Sequence, residues 1–286
     1  MNCYFDECIV IGAGQVVFTC AKYLQDNYRI DCVYEYGGYA QSRLEFLCNK
    51  NHISYIKLFD KAHCDKLMTS IGSSKKRTLI VSIANIYIFP QFITKNKNIK
   101  IINHHPSFLE RHIGRNAEAW AIYEQDKVAG VTWHEVTAEI DHGLILAEKS
   151  IELNQTITSI KLRIKEFQIA MELFKEFIGS IMEDVEVSKR MPARYGILHY
   201  SYERPNDGIL DLDWSGDKIS AFLRSMDYGG LNEMGMSFLI DNNLKYSWDS
   251  YKILENYSGE YDNSSRIIEK DNTYFVLKNF HIVNSI

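Results

Sequence analysis

Residues 8–36 read CIVIGAGQVVFTCAKYLQDNYRIDCVYEY: a β-branched apolar run, a glycine-marked turn, a helix-forming stretch and a second β-branched run. Strand, helix and strand in that order make a βαβ unit, whose strands lie parallel with the helix packed on one face. The rhythm continues downstream. SRLEFLCNKNH leads to ISYIKLF (53–59), KAHCDKLMTSI leads to RTLIVSI (77–83), and IKIIN (99–103) follows. The expected fold class is therefore α/β, Rossmann-like with a mostly parallel sheet, and a ligand belongs at the carboxyl edge of that sheet.

After the helical NAEAWAIYEQD, the runs AGVTWHEV (129–136) and LILAEKSIEL read as a strand pair that closes the sheet through a turn at 141–143. From Thr156 onward, Ile160, Ile164, Phe167, Met171, Phe174, Ile178 and Ile181 form one stripe of a long amphipathic helix laid on the sheet. The polar stretch EDVEVSKRMPARYG (183–196) reads as a linker. Beyond it come a helix at 216–226 and short strands SFLI, KYSW, YKIL and TYFVL. The expected organisation is a catalytic domain over 1–190 and a small β-rich, OB-like domain over 191–286.

Composition narrows the function classes. The N-terminus lacks a basic, apolar leader and no window approaches an uninterrupted apolar span, so a cytoplasmic protein with no membrane segment is expected. All six cysteines fall in the first quarter without a CxxC pair, which fits reduced structural thiols better than zinc ligands. A net charge of -5 disfavours phosphate backbones, hence nucleic acid, as partner.

Two groups of residues carry chemistry. Gly12, Ala13 and Gly14 follow the first strand, and Glu35 ends the second, as in part of a dinucleotide site; Val17 stands where a third glycine is needed. Either a nicotinamide cofactor or a tight turn without a ligand accounts for that pattern. The second group is more specific. Asn103, His105 and Ser107 sit at the carboxyl end of IKIIN, and Asp141 lies in the turn after GVTWHEV. An amide, an imidazole and a carboxylate at strand ends are what acyl transfer to an amine requires: a donor for the oxyanion and a base for the proton. His104, His112, His134 and His142 are nearby, but no spacing suits a metal, and none is expected.

These residues resemble the folate-dependent formyltransferase family, in feel closest to the formylation domains of nonribosomal peptide synthetases and to sugar N-formyltransferases. The family's N-x-H-x-S-x-L-P motif is present as Asn103, His105, Ser107 and Leu109, and its G-V-T strand leading to D-x-G as Gly130, Val131, Thr132, Asp141 and Gly143. Glu110, His142 and Leu144 depart from the family pattern. The resemblance implies an N-formyltransferase that uses 10-formyltetrahydrofolate and no metal. Asn103 and His105 would hold the formyl oxygen, and Asp141 would take the proton of the attacking amine. Donor contacts are expected at Ile83, Ala84, Asn85, Ile86, Tyr87, Val136, Ile140 and Asp141. Acceptor contacts are expected at Gly12, Gly14, Ser107 and His134.

The acceptor is less legible. No basic insertion follows the second strand, which argues against tRNA, and the residues past 196 argue against glycinamide ribonucleotide. Glu203, Arg204 and Pro205, with Asp213 and Trp214 beyond, look like the segment after the linker in stand-alone and synthetase-fused relatives. The first expectation is an aminoacyl group on a carrier protein in secondary metabolism. A sugar-nucleotide amine is the alternative, then methionyl-tRNA or hydrolysis of the formyl donor.

Overall fold

A computed structural model describes residues 3–38, 42–231, 233–257 and 264–283. The chain divides into two compact units, one comprising 1–114, 130–150 and 166–197, the other 115–129, 151–165 and 198–286. The second unit thus draws two segments from the stretch expected to be a single N-terminal domain. Local sequence patterns do not reveal such exchanges, because they arise from contacts distant along the chain.

In chain order the elements are β1 (Glu7–Gly12), α1 (Gln15–Asn27), β2 (Cys32–Tyr36), α2 (Leu44–Lys50), β3 (Tyr55–Leu58), α3 (Lys61–Ser73) and β4 (Thr78–Ile83). There follow α4 (Gln91–Thr94), β5 (Ile99–His105), β6 (His112–Gly114), α5 (Ala117–Tyr123), β7 (Val128–Glu135), β8 (Ile145–Glu152) and α6 (Ser159–Met182). The last are β9 (Ile197–His199), β10 (Ile209–Leu210), α7 (Gly216–Ser225), β11 (Phe238–Asp241), β12 (Leu244–Ser247), β13 (Ser250–Leu254), β14 (Arg266–Lys270), β15 (Thr273–Lys278) and β16 (His281–Ile282).

The large sheet has the order β3-β2-β1-β4-β5-β7-β8. β3, β2, β1, β4 and β5 are parallel, and β7 runs antiparallel to β5. All six residues of β4 are buried, as a strand covered on both faces requires. Asp60 caps α3 by accepting the backbone N–H of His63 at 2.9 Å. The expected α6 stripe is buried from Met171 through Phe174, Ile178 and Ile181 and departs only near its start, where Ile164 is 53% exposed; Leu162, Ile169, Leu173 and Phe177 widen the buried face.

The C-terminal strands make the second unit rich in β-structure without confirming the expected OB-like arrangement. Among the described residues they form a four-stranded sheet, β10-β11-β12-β16, and a three-stranded sheet, β13-β15-β14. Phe222, Leu223, Leu239, Phe275 and Leu277 share one core in that unit. Cys8, Cys20, Cys32, Cys48 and Cys64 are buried and unpaired, and burial pushes the Cys32 thiol up to about 11, which keeps it protonated and inert. Among the described residues no helix is long and apolar enough to cross a membrane.

Candidate active site

Strand alternation and register build the site. Asn103 and His105 share one face of β5 while His104 takes the other, and in the β5–β7 ladder Asn103 is opposite His134, His104 opposite Trp133 and His105 opposite Thr132. Trp133 is therefore core. Its indole N–H donates to the Ala170 carbonyl at 2.9 Å, and its ring packs beside Phe174 and Phe177. His134 lies on the Asn103 side, where the Asn103 Nδ2 and His134 Nε2 atoms are 3.2 Å apart.

Asp141 reaches this face from the β7–β8 turn, in a left-handed conformation with φ 53°. Its Oδ2 accepts the Gly114 N–H at 2.9 Å and lies 3.4 Å from His105 Nδ1, and its Oδ1 lies 3.4 Å from His134 Nε2. Asn103, His105, His134 and Asp141 thus form one cluster. Burial alone would push the Asp141 carboxyl up, but His105, His134 and the Gly114 N–H outweigh it and hold the group well below the usual carboxylate range.

The partners of the two imidazoles fix their roles. His134 Nδ1–H donates to the Glu135 carbonyl at 2.8 Å, and its Nε2 accepts from the Asn103 amide in the neutral ring and turns its proton to Asp141 in the charged one. His105 Nε2–H donates to the His112 carbonyl at 2.7 Å, which turns Nδ1 towards Asp141. Ser82, next to Asn103 in the β4–β5 register, donates its hydroxyl to Asn103 Oδ1 at 2.7 Å. One Asn103 N–H then remains for a carbonyl oxygen. Sequence reasoning missed Ser82 and Gly114 as contributors. Ser82 could have been found from parallel register, whereas β6 has only three residues and no periodicity to read.

The other expected site residues are placed as follows. Ala84 is left-handed with φ 49°, and the Asn85 side chain clasps both the N–H (3.0 Å) and the carbonyl (3.3 Å) of Tyr87, so the 83–87 loop has a preset backbone. Ile86 is exposed, whereas Tyr87 is buried with its hydroxyl donating to Asp65 at 2.8 Å. Val136 packs on the core beneath the sheet and Ile140 is exposed. Ser107 is buried, and its carbonyl accepts the Thr132 hydroxyl at 2.7 Å. Gly12 is needed for packing: a Cβ there would lie 1.8 Å from the Ile83 carbonyl oxygen. Gly14 opens α1 with φ 81°. Glu35 is buried and accepts the Tyr55 hydroxyl at 2.5 Å, so the tight-turn account of this region stands better than a ribose-binding one. Glu110, where the family motif has proline, pairs with Arg190 and accepts the Ala193 N–H.

His104 carries a pH prediction. It is buried beside Trp133 and Phe167, and its Nε2 has no partner. Burial, with the nearby charges of His105 and His134, lowers its pKa from 6.5 to about 3. Between those values the unfolded chain holds the extra proton, so stability falls as pH drops through this window. Each unit is about 1.4 kcal/mol, so on the order of 3 kcal/mol should go between about pH 6.5 and 4.5. In urea melts His104→Leu should flatten that slope; equal slopes in both proteins would refute the assignment.

The family described as formyl transferase matches residues 47–174. Those residues, under half of the chain, are what the family match rests on. The formyl transferase match is accompanied by curated relatives. GDP-perosamine N-formyltransferase of Brucella melitensis is 28% identical over 156 residues, covering 54% of this chain and 59% of that protein. Methionyl-tRNA formyltransferase of Rickettsia bellii is 30% identical over 149 residues, 52% of this chain and 48% of that protein. The chain thus spans about half the length of the curated relatives it matches. Its fold is shared with an N-formyltransferase from Helicobacter canadensis, solved with folinic acid and dTDP-3-aminofucose: TM-score 0.71, 15% identity, 96% and 99% coverage.

Proposed function

We propose that the chain transfers a formyl group from 10-formyltetrahydrofolate to the primary amine of a nucleotide-linked amino sugar. The observation that carries the reaction is the cluster itself: an Asn103 N–H left over after Ser82 and His134 are served, beside an Asp141 carboxylate held ionised. All four residues lie within the expected catalytic domain, 1–190.

The residues present fit the donor. The clasped 83–87 backbone offers fixed amides to the edge of a pterin, and the exposed Ile86 and Ile88 offer apolar surface to its face. When bound, this group supplies an activated formyl carbon. Asn103 then donates to the formyl oxygen as negative charge builds on it. In its imidazolium form His105 would bridge the His112 carbonyl and Asp141, adding positive charge on the same side. A carboxylate held this low is a weak base at rest. Proton transfer to Asp141 therefore belongs after attack, when the nitrogen has become strongly acidic.

The acceptor reading follows the relatives, which favour the amino sugar over the aminoacyl group on a carrier protein expected first. A folate donor is an intracellular metabolite, so a cytoplasmic location goes with this reading. The test is incubation with 10-formyltetrahydrofolate and a panel of amino-sugar nucleotides, an aminoacyl carrier protein and initiator methionyl-tRNA, read by mass spectrometry. Gain of one formyl group on an amino-sugar nucleotide is the expected result. Gain only on the carrier protein or the tRNA overturns the acceptor, and formate release without any amine indicates a hydrolase.

A further inference from the structure

The segment expected to be a linker is built into the catalytic unit. Arg190 exchanges backbone hydrogen bonds with Ile145 (2.9 and 3.3 Å), and Lys189 Nζ donates to Glu135 at 2.8 Å. Further on, Gly196 N–H donates to Leu109 and Ile197 N–H to Arg111, at 2.8 and 2.9 Å. Gly196 is close-packed there, since a Cβ would sit 2.1 Å from the Arg111 carbonyl oxygen. The strap therefore grips the loop after the Asn103 motif and the strand after the Asp141 turn at once.

Between those anchors, Tyr195 lies over the turn. Its ring stacks on His142, with centroids 3.7 Å apart, and its hydroxyl donates to the His142 carbonyl at 3.2 Å. The His142 ring is held in turn, Nδ1 against the Ile140 carbonyl at 2.5 Å and Nε2 3.8 Å from Glu139. The residue between Ile140 and His142 is Asp141, in a left-handed conformation that few residue types besides glycine adopt.

We propose that Tyr195 is a positioning residue for Asp141: its stack on His142 holds the turn so that the carboxylate meets the Gly114 amide, His105 and His134. The catalytic consequence rests on the formyl-transfer reading; the positional one does not.

The test uses the full chain. Tyr195→Ala should lower kcat on the order of 10-fold or more, because a small misplacement of a reacting group is costly. The donor KM should change less than kcat, since the clasped 83–87 contacts are untouched and only those of the loosened turn, Ile140 and Asp141, are affected. Tyr195→Phe keeps the stack and should stay within about threefold of wild type. Labelling the Asp141 carboxyl carbon gives a readout independent of turnover. Its titration should move up in Tyr195→Ala, as the Gly114 N–H and the His105 and His134 rings are lost, and stay in place in Tyr195→Phe. A folded Tyr195→Ala with wild-type kcat and an unmoved titration overturns the proposal. If Tyr195→Ala does not fold, His142→Ala removes the opposite ring and must give the same shift; wild-type behaviour there overturns it equally. A wild-type protein that formylates nothing would sink the functional reading, while the titration would still report on the clamp.

Discussion

Asp141→Asn is expected to fold and to turn over at about one hundredth of the wild-type rate or less. The substitution keeps shape and backbone. Asparagine is among the few residues that tolerate the left-handed conformation at this position, and an amide oxygen can still accept the Gly114 N–H. What disappears is the charge. His105 and His134 lose the anion 3.4 Å away, and in the proposed reaction the nitrogen that has just attacked loses the group that takes its proton. Binding of the donor should change by less than about tenfold, because its main contacts are elsewhere. Single-turnover rates set beside donor binding separate these effects, and a variant with full turnover would remove Asp141 from the chemistry.

Gly143→Ala should be the more damaging change to the molecule as a whole. A Cβ at this position would lie 1.5 Å from the Glu135 carbonyl oxygen and 2.6 Å from its carbon, both backbone atoms that cannot swing aside. The same carbonyl accepts the His134 Nδ1–H, and the Glu135 N–H donates to Leu144 at 2.9 Å. Relieving the overlap therefore means opening the β7–β8 turn and freeing the imidazole that contacts Asn103. Overpacking of this kind costs about 3 kcal/mol when backbone must move, and turnover should fall with it. Urea denaturation and the transfer rate measured on the same sample check both; a variant that melts and works like wild type would mean that the turn is looser than the structure describes.

The central sheet could be read from sequence because strands covered on both faces must be apolar almost throughout, as CIVIG and TLIVSI are. The candidate site was read from the motif around Asn103 and the turn at Asp141, and alternation along β5 puts Asn103 and His105 together and sends His104 to the other side. What escaped has no local period. Ser82 aligns the Asn103 amide only through parallel register, Gly114 contributes a backbone N–H that any residue type could supply, and Tyr195 sits in a polar stretch that looks like a tether. The exposed start of the α6 stripe and the two small C-terminal sheets depend on what each element packs against, which spacing alone does not encode. Gly12 and Glu35 mimic a cofactor signature because close strand packing and a buried acid need the same residue types.

The facing of Asn103 with His134 and of His104 with Trp133 ties activity to correct assembly. Were β7 to pair one position out of step, the indole would be turned out of the core and the imidazole turned into it, ruining packing and chemistry together. A misaligned ladder would therefore be penalised twice, in packing and in the cluster around Asp141, so the proposed activity would also report that the strands had zipped correctly.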